Sequence, residues 1–113
     1  MADAQATSIL RPLRRWLDML VSEASSDHQL LKRFRLQRDE SAFAALMNRH
    51  GPMVLGVCRR FLRQSHDIED AFQATFVVLA RQAGSIRKQE SIGCWLHSVA
   101  RRVASKLRAS ALR

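Results

Sequence analysis

Apolar side chains recur along this chain at the three- and four-residue intervals of an α-helix, and no stretch alternates β-branched with polar residues as a half-buried strand would. Ile9, Leu13, Trp16, Leu17 and Leu20 share one face opposite Arg11, Arg14 and Arg15, which predicts an amphipathic helix over residues 8–23. Pro12 falls in its first turn, where a missing N–H costs nothing. Ala24-Ser25-Ser26 reads as a linker, and Ser26 or Asp27 can cap a helix carrying Leu30, Leu31 and Phe34. Arg38-Asp39-Glu40-Ser41 reads as a break and a fresh start, followed by a stripe of Phe43, Leu46, Met47 and His50. Gly51-Pro52 is expected to end that helix and begin another, whose buried side is Val54, Val57, Cys58, Phe61 and Leu62. Ser65-His66-Asp67 then reads as a turn and cap.

The two helices that follow are the best defined. Ile68, Ala71, Phe72, Thr75, Phe76 and Leu79 fall within about 100° of arc at 100° per residue. The other face of that helix carries His66, Asp70, Gln73, Ala74, Val77 and Arg81, and Asp67, Glu69 and Asp70 in its first turn suit the helix dipole. A short loop, Gly84-Ser85-Ile86-Arg87-Lys88-Gln89-Glu90, leads to a last helix opening near Ile92. Its buried stripe is Ile92, Trp95, Leu96, Val99, Val103 and Leu107, so Trp95 is core rather than a stacking platform. Its opposite face presents His97, Ser98, Arg101, Ser105 and Arg108, with Arg102 at the rim. The predicted fold is all-α, a compact bundle of about five to six helices, and the 113 residues suffice for one modest core.

Charge adds an asymmetry. Lys and Arg number 19 against 10 Asp and Glu, a formal +9. From Arg81 to Arg113 there are eight basic residues and one acid, Glu90, so this last third carries +7 of the +9. Such a patch is the electrostatic footprint of a polyanion binder. Arg87 and Lys88 on the loop, with Arg101, Arg102, Lys106 and Arg108 on the helix, are spaced to track phosphates, and a loop before a basic helix can hold an unstacked base. Val77 among Asp70 and Gln73 offers an apolar centre for a small protein contact. Catalysis has no constellation behind it. His28, His50, His66 and His97 are scattered without metal-ligand spacing, and no P-loop, G-x-G-x-x-G or G-x-S-x-G occurs. No cofactor or metal is called for. Cys58 and Cys94 form no C-x-x-C, residues 1–8 lack an apolar leader, and no apolar run approaches the ~18 residues of a membrane span, so a cytoplasmic location is expected.

Asp67-Ile68-Glu69-Asp70-Ala71-Phe72-Gln73-Ala74-Thr75-Phe76 resembles the region 2.2 signature of bacterial sigma factors, of the type D-A-E-D-x-x-Q-x-T-F. Trp95-Leu96-His97-Ser98-Val99-Ala100-Arg101-Arg102 resembles their W-L-x-x-[IV]-A-R-x segment. Asp27 to Phe34, Asp39 to Phe43 and Arg49-His50-Gly51-Pro52-Met53-Val54 look like the earlier part of region 2. The nearest group is the extracytoplasmic-function type of the sigma-70 family. The resemblance implies a leader over residues 1–25 and a region 2 domain over 26–113. It implies docking on the β′ clamp helices of RNA polymerase through Asp70, Gln73, Ala74 and Val77, with Glu69 at the edge; Ala74 stands where many relatives carry an acid. It implies recognition and melting of the promoter −10 element, on the non-template strand, through the loop residues Ser85, Arg87 and Lys88 and the helix residues His97, Ser98, Arg101, Arg102, Ser105 and Arg108. An anti-sigma factor is a candidate regulatory partner. Region 4, the helix-turn-helix that reads the −35 element, has no counterpart in this sequence, which implies an excised domain or a truncated protein. Two rival readings are a helical nucleic-acid binder without polymerase contact, and an interaction module whose basic face meets an acidic protein.

Overall fold

The computed structural model describes residues 11–17, 20 and 24–112. After a helical segment at 11–17, four helices follow: α1 (Asp27–Gln37), α2 (Glu40–Phe61), α3 (Ser65–Gln82) and α4 (Ile92–Ala111). A single 3₁₀ turn, Ala83–Ser85, extends α3, and the described residues contain no strand. The fold is all-α, as the periodicity predicted. The long α2 is the central element and packs against α1, α3 and α4, while α3 also packs against α4. Leu30, Leu46, Val54, Leu79, Ile92 and Leu96 are fully buried, one or more from each helix. An aromatic chain, Phe34 to Phe43 to Phe76 to Phe72, links the first three helices with ring centroids 4.6, 6.3 and 5.1 Å apart. Trp95, Val103 and Leu107 pack against this core from its margin, so Trp95 is a packing residue. Cys58 is buried, which pushes its thiol pKa up and keeps it protonated, whereas Cys94 is exposed.

Local chemistry sets most helix ends. The Ser26 hydroxyl accepts from Gln29 N–H at 3.1 Å while Gln29 Oε1 accepts from Ser26 N–H at 2.8 Å, a reciprocal capping box. Helix α1 stops at Arg38, whose left-handed φ of 52° turns the chain as its N–H donates to Phe34 O at 2.9 Å. Asp39 then caps α2. Its Oδ1 accepts from Ser41 Oγ at 2.6 Å, Ser41 N at 3.1 Å and Ala42 N at 3.2 Å. The Ser41 hydroxyl bond is the main cause that holds the Asp39 carboxyl below its ordinary value, with the Ala42 N–H and the nearby Arg33 guanidinium adding to it against a smaller desolvation. A depressed folded-state pKa makes the cap stabilising above the unfolded carboxylate range and lost as pH falls through the folded value. Asp39→Ala is therefore expected to cost about 1 kcal/mol at pH 7, and urea titrations should show wild type and variant converging as pH drops below ~4.

Two expectations are corrected. Gly51-Pro52 does not divide two helices, because α2 runs through both residues without interruption. Proline disfavours helical geometry in the residue before it through a clash with that residue's Cβ, and Gly51 has none. Gly51 is buried against Phe72, with Phe72 Cζ 3.6 Å from where a Cβ would sit, and Leu46 and Val54 on either side are fully buried. Tertiary packing on both flanks holds the helix continuous, and His50 is thus a mid-helix residue. Secondly, Ser65-His66-Asp67 is not the cap of α3. Gln64 occupies that position without a side-chain bond, and Ser65 and Asp67 lie inside the first turn, where Asp67 still complements the dipole and sits 3.4 Å from His66 Nε2. Of the first predicted helix, Leu13, Trp16, Leu17 and Leu20 are exposed. Ile9 and both ends of the predicted 8–23 helix lie outside the described residues, as does Arg113.

Candidate nucleic-acid interface

Helix α4 begins where Ser91 Oγ accepts from Cys94 N–H at 3.2 Å. The inward face of α4 carries the fully buried small residues Ala100 and Ala104 beside Leu96, which lets the helix lie close to its neighbours and fixes its rotation. That rotation turns Ser98, Arg101, Ser105 and Arg108 outward as one stripe, with Arg102 beside it; all five are exposed and His97 is half-buried. The stripe borders an open trough of about 540 Å³ lined by Phe61, Ser98, Arg101, Arg102, Ser105 and Lys106. Arg101, Arg102, Lys106 and Arg108 form no ion pair with any other described residue. Their charge is therefore left for an external anion, and from His97 to Arg108 the helix rises by roughly 16 Å at 1.5 Å per residue. Lys106, expected among the phosphate-tracking cations though not on the stripe, lines the trough; Phe61, expected on the buried side of α2, is half-buried and also lines it, a part that sequence reasoning did not assign to it.

The loop before α4 is anchored at both ends and free at its tip. Ala83 is buried and Ile86 packs against the core. At the far end Glu90 N–H donates to Arg87 O at 3.0 Å, and His28 Nε2 lies 2.7 Å from Glu90 O, donating to that carbonyl. Ser85, Arg87, Lys88 and Gln89 are left exposed. Asp27, next to His28, accepts from Arg49 Nη1 at 2.9 Å and sits 2.8 Å from His50 Nε2, tying the start of α1 to the middle of α2. The His50 ring reaches on to α4, its Cε1 3.4 Å from where a Cβ of Gly93 would sit. Asp27, His28 and His50 thus position the loop and the first turn of α4. Sequence reasoning assigned none of them this part, because the His28–Glu90 pairing joins residues 62 apart and leaves no local signature.

On α3 the residues Asp70, Gln73, Ala74 and Val77 stand at i, i+3, i+4 and i+7, one stripe of the helix. Asp70, Gln73 and Val77 are exposed, Ala74 is half-buried, and Glu69 is exposed at the edge. Neither Glu69 nor Asp70 pairs with another described residue, and Val77 is 49% exposed, one of the few large apolar side chains left open to solvent on the bundle. The sequence-predicted contacts are therefore gathered into three places: the α3 stripe, the loop tip and the α4 stripe. The loop residues do not line the α4 trough. Among the described residues no group of three or more His, Cys, Asp or Glu is placed to hold a metal ion, and no helix is long and apolar enough to cross a membrane.

The bundle thus presents, on its last helix, exposed cations without an ion-pair partner among the described residues and, on the preceding helix, an acidic and polar stripe. The Sigma-70 region 2 family matches residues 46–113, more than half of the chain, and the chain belongs to that family. It is also similar to the RNA polymerase sigma-H factor of Pseudomonas aeruginosa, 31% identical over 83 residues that cover 73% of this chain and 41% of that protein. The chain thus corresponds to less than half of that relative's length. No solved structure matches it.

Proposed function

We propose that this chain is the promoter-opening domain of a sigma factor of the extracytoplasmic-function type, acting in transcription initiation. Residues 26–113 form the region 2 unit and residues 1–25 a leader. In this reading the α3 stripe of Asp70, Gln73, Ala74 and Val77, with Glu69 at its edge, docks on the β′ clamp helices of RNA polymerase. The loop tip, Ser85, Arg87 and Lys88, receives a base unstacked from the −10 element. His97, Ser98, Arg101, Arg102, Ser105 and Arg108 of α4 hold the non-template strand backbone. The observation that carries the reading is the set of exposed α4 cations without an ion-pair partner among the described residues, on the helix that follows a loop pinned at both ends.

The chemistry required is binding alone. Unstacking a base costs a few kcal/mol, and charge-assisted contacts to the strand offset it only once the duplex has opened. The bound state therefore favours the melted strand, and no covalent bond in the DNA or protein is made or broken. An anti-sigma factor would regulate such a domain by covering one of these surfaces. The test is titration of the full chain with labelled DNA, comparing a randomised single-stranded pool with the same pool as duplex. Preference for the single strands, weakening with added salt, is expected; equal or tighter binding to duplex would overturn the strand-capture reading.

A further inference from the structure

A second basic cleft, distinct from the α4 trough, lies between α1 and the loop. It encloses about 640 Å³ and is lined by His28, Lys32, Arg35, Ile86, Arg87 and Lys88 among others, with no carboxylate in its walls. Lys32 and Arg35 stand at i and i+3 on α1, which brings their side chains to one edge of that helix. Both are exposed, and neither pairs with another described residue; the ion pair of α1 with Asp39 uses Arg33 instead. The Arg35 side chain lies across Gly84, its Nη1 3.4 Å and its Cδ 3.5 Å from where a Cβ would sit. Arg35 thus leans over the loop in close contact with its start. Four cations from two separate elements converge here: Lys32 and Arg35 from α1, Arg87 and Lys88 from the loop. Converging like charges repel, which opposes the folded arrangement unless an anion sits among them.

We propose that this cleft binds the backbone phosphates of a single-stranded nucleic acid, so that Lys32 and Arg35 extend the strand's path from the loop onto α1. The inference rests on the single-strand function given above and adds a second wall to it. The loop tip then lies between two phosphate-holding surfaces, α4 on one side and α1 on the other, and a base drawn toward it is held by the backbone on both flanks. An ordered path of this kind restrains the strand more than α4 alone would, because each phosphate fixed adds a contact without freeing the others. The pinning of the loop by His28, which itself lines the cleft, keeps Arg87 and Lys88 in register with α1.

The test uses the full chain and a fluorescent single-stranded DNA, with anisotropy titrations at several salt concentrations. Lys32→Ala with Arg35→Ala is expected to weaken binding about tenfold and to lower the slope of log affinity against log salt by about 1.4, two contacts at about 0.7 each. Lys32→Arg with Arg35→Lys should restore both affinity and slope, since charge rather than packing carries the effect. Because both side chains are exposed and their removal relieves like-charge repulsion, circular dichroism melting should show no loss of stability. An alanine pair that keeps wild-type affinity and slope, while Arg101→Ala with Arg108→Ala loses them, overturns the cleft and leaves the function standing. Wild-type protein that shows no salt-sensitive binding to single strands overturns the function and the cleft together. Inorganic pyrophosphate that binds the wild type but not the Lys32→Ala, Arg35→Ala pair, while that pair keeps wild-type strand affinity and slope, would mark the cleft as a free-phosphate site and also overturn the proposal.

Discussion

Replacing Arg101 and Arg108 together by alanine is expected to weaken binding to single-stranded DNA by about 10- to 100-fold and to lower its salt slope by about 1.4. Both guanidinium groups are exposed on one stripe of α4 and have no partner among the described residues. Nothing inside the protein is therefore left unpaired when they are removed. The helix itself is held from the opposite side by Ile92, Leu96, Ala100 and Ala104, all essentially buried, so the melting temperature should stay within a degree or two of wild type. In the proposed reading these side chains hold the strand backbone, so the loss should be nearly uniform across sequences. Unchanged affinity in the double variant would remove α4 from the strand's path.

The second large effect concerns the other surface. Asp70→Lys with Gln73→Ala is expected to reduce retention by a β′ clamp-helix fragment by about 100-fold, the scale of breaking and reversing one well-formed charge contact. Asp70 has no ion-pair partner among the described residues and Gln73 is exposed one turn away, so the substitutions leave the bundle intact. The same variant should bind single-stranded DNA with its salt slope unchanged, since the α3 stripe and the basic surfaces are different faces. Clamp-fragment binding that survives this variant would displace the contact from α3.

Much of this arrangement is written in local patterns. The α3 stripe and the α4 stripe follow from helical periodicity, because a residue's side of a helix is fixed by its spacing from buried neighbours such as Leu79 and Leu96. Trp95 and Phe72 were assigned to packing on the same ground, and both do pack against the core. What local patterns misread was the course of α2. Gly51 and Pro52 are breaking residues by propensity, yet the ring of Phe72, supplied from another helix, packs beside Gly51, its Cζ 3.6 Å from where a Cβ would sit. The cap of α3 failed for a smaller reason: Ser65 and Asp67 are equally at home in a first turn and before one.

The supports of the loop were illegible in principle rather than by oversight. Asp27, His28 and His50 act across 23 to 62 residues of sequence, and their partners are a carboxylate, a backbone carbonyl and a glycine. The α1 cleft escaped for the same reason. Lys32 and Arg35 look like the solvated face of a short helix until the fold sets them opposite Arg87 and Lys88. Charge runs predicted that the end of the chain would be basic, but not that the start of the bundle would complete it.

The central claim is that one small bundle holds a polymerase surface and a melted strand at once, on different helices. The most direct measurement is immobilisation of a β′ clamp-helix fragment, capture of the full chain on it, and addition of labelled single-stranded DNA. The account predicts that the strand is retained with the affinity it shows for the free chain, forming a three-component complex. Release of the chain by the strand, or failure of the captured chain to retain the strand at all, would contradict it.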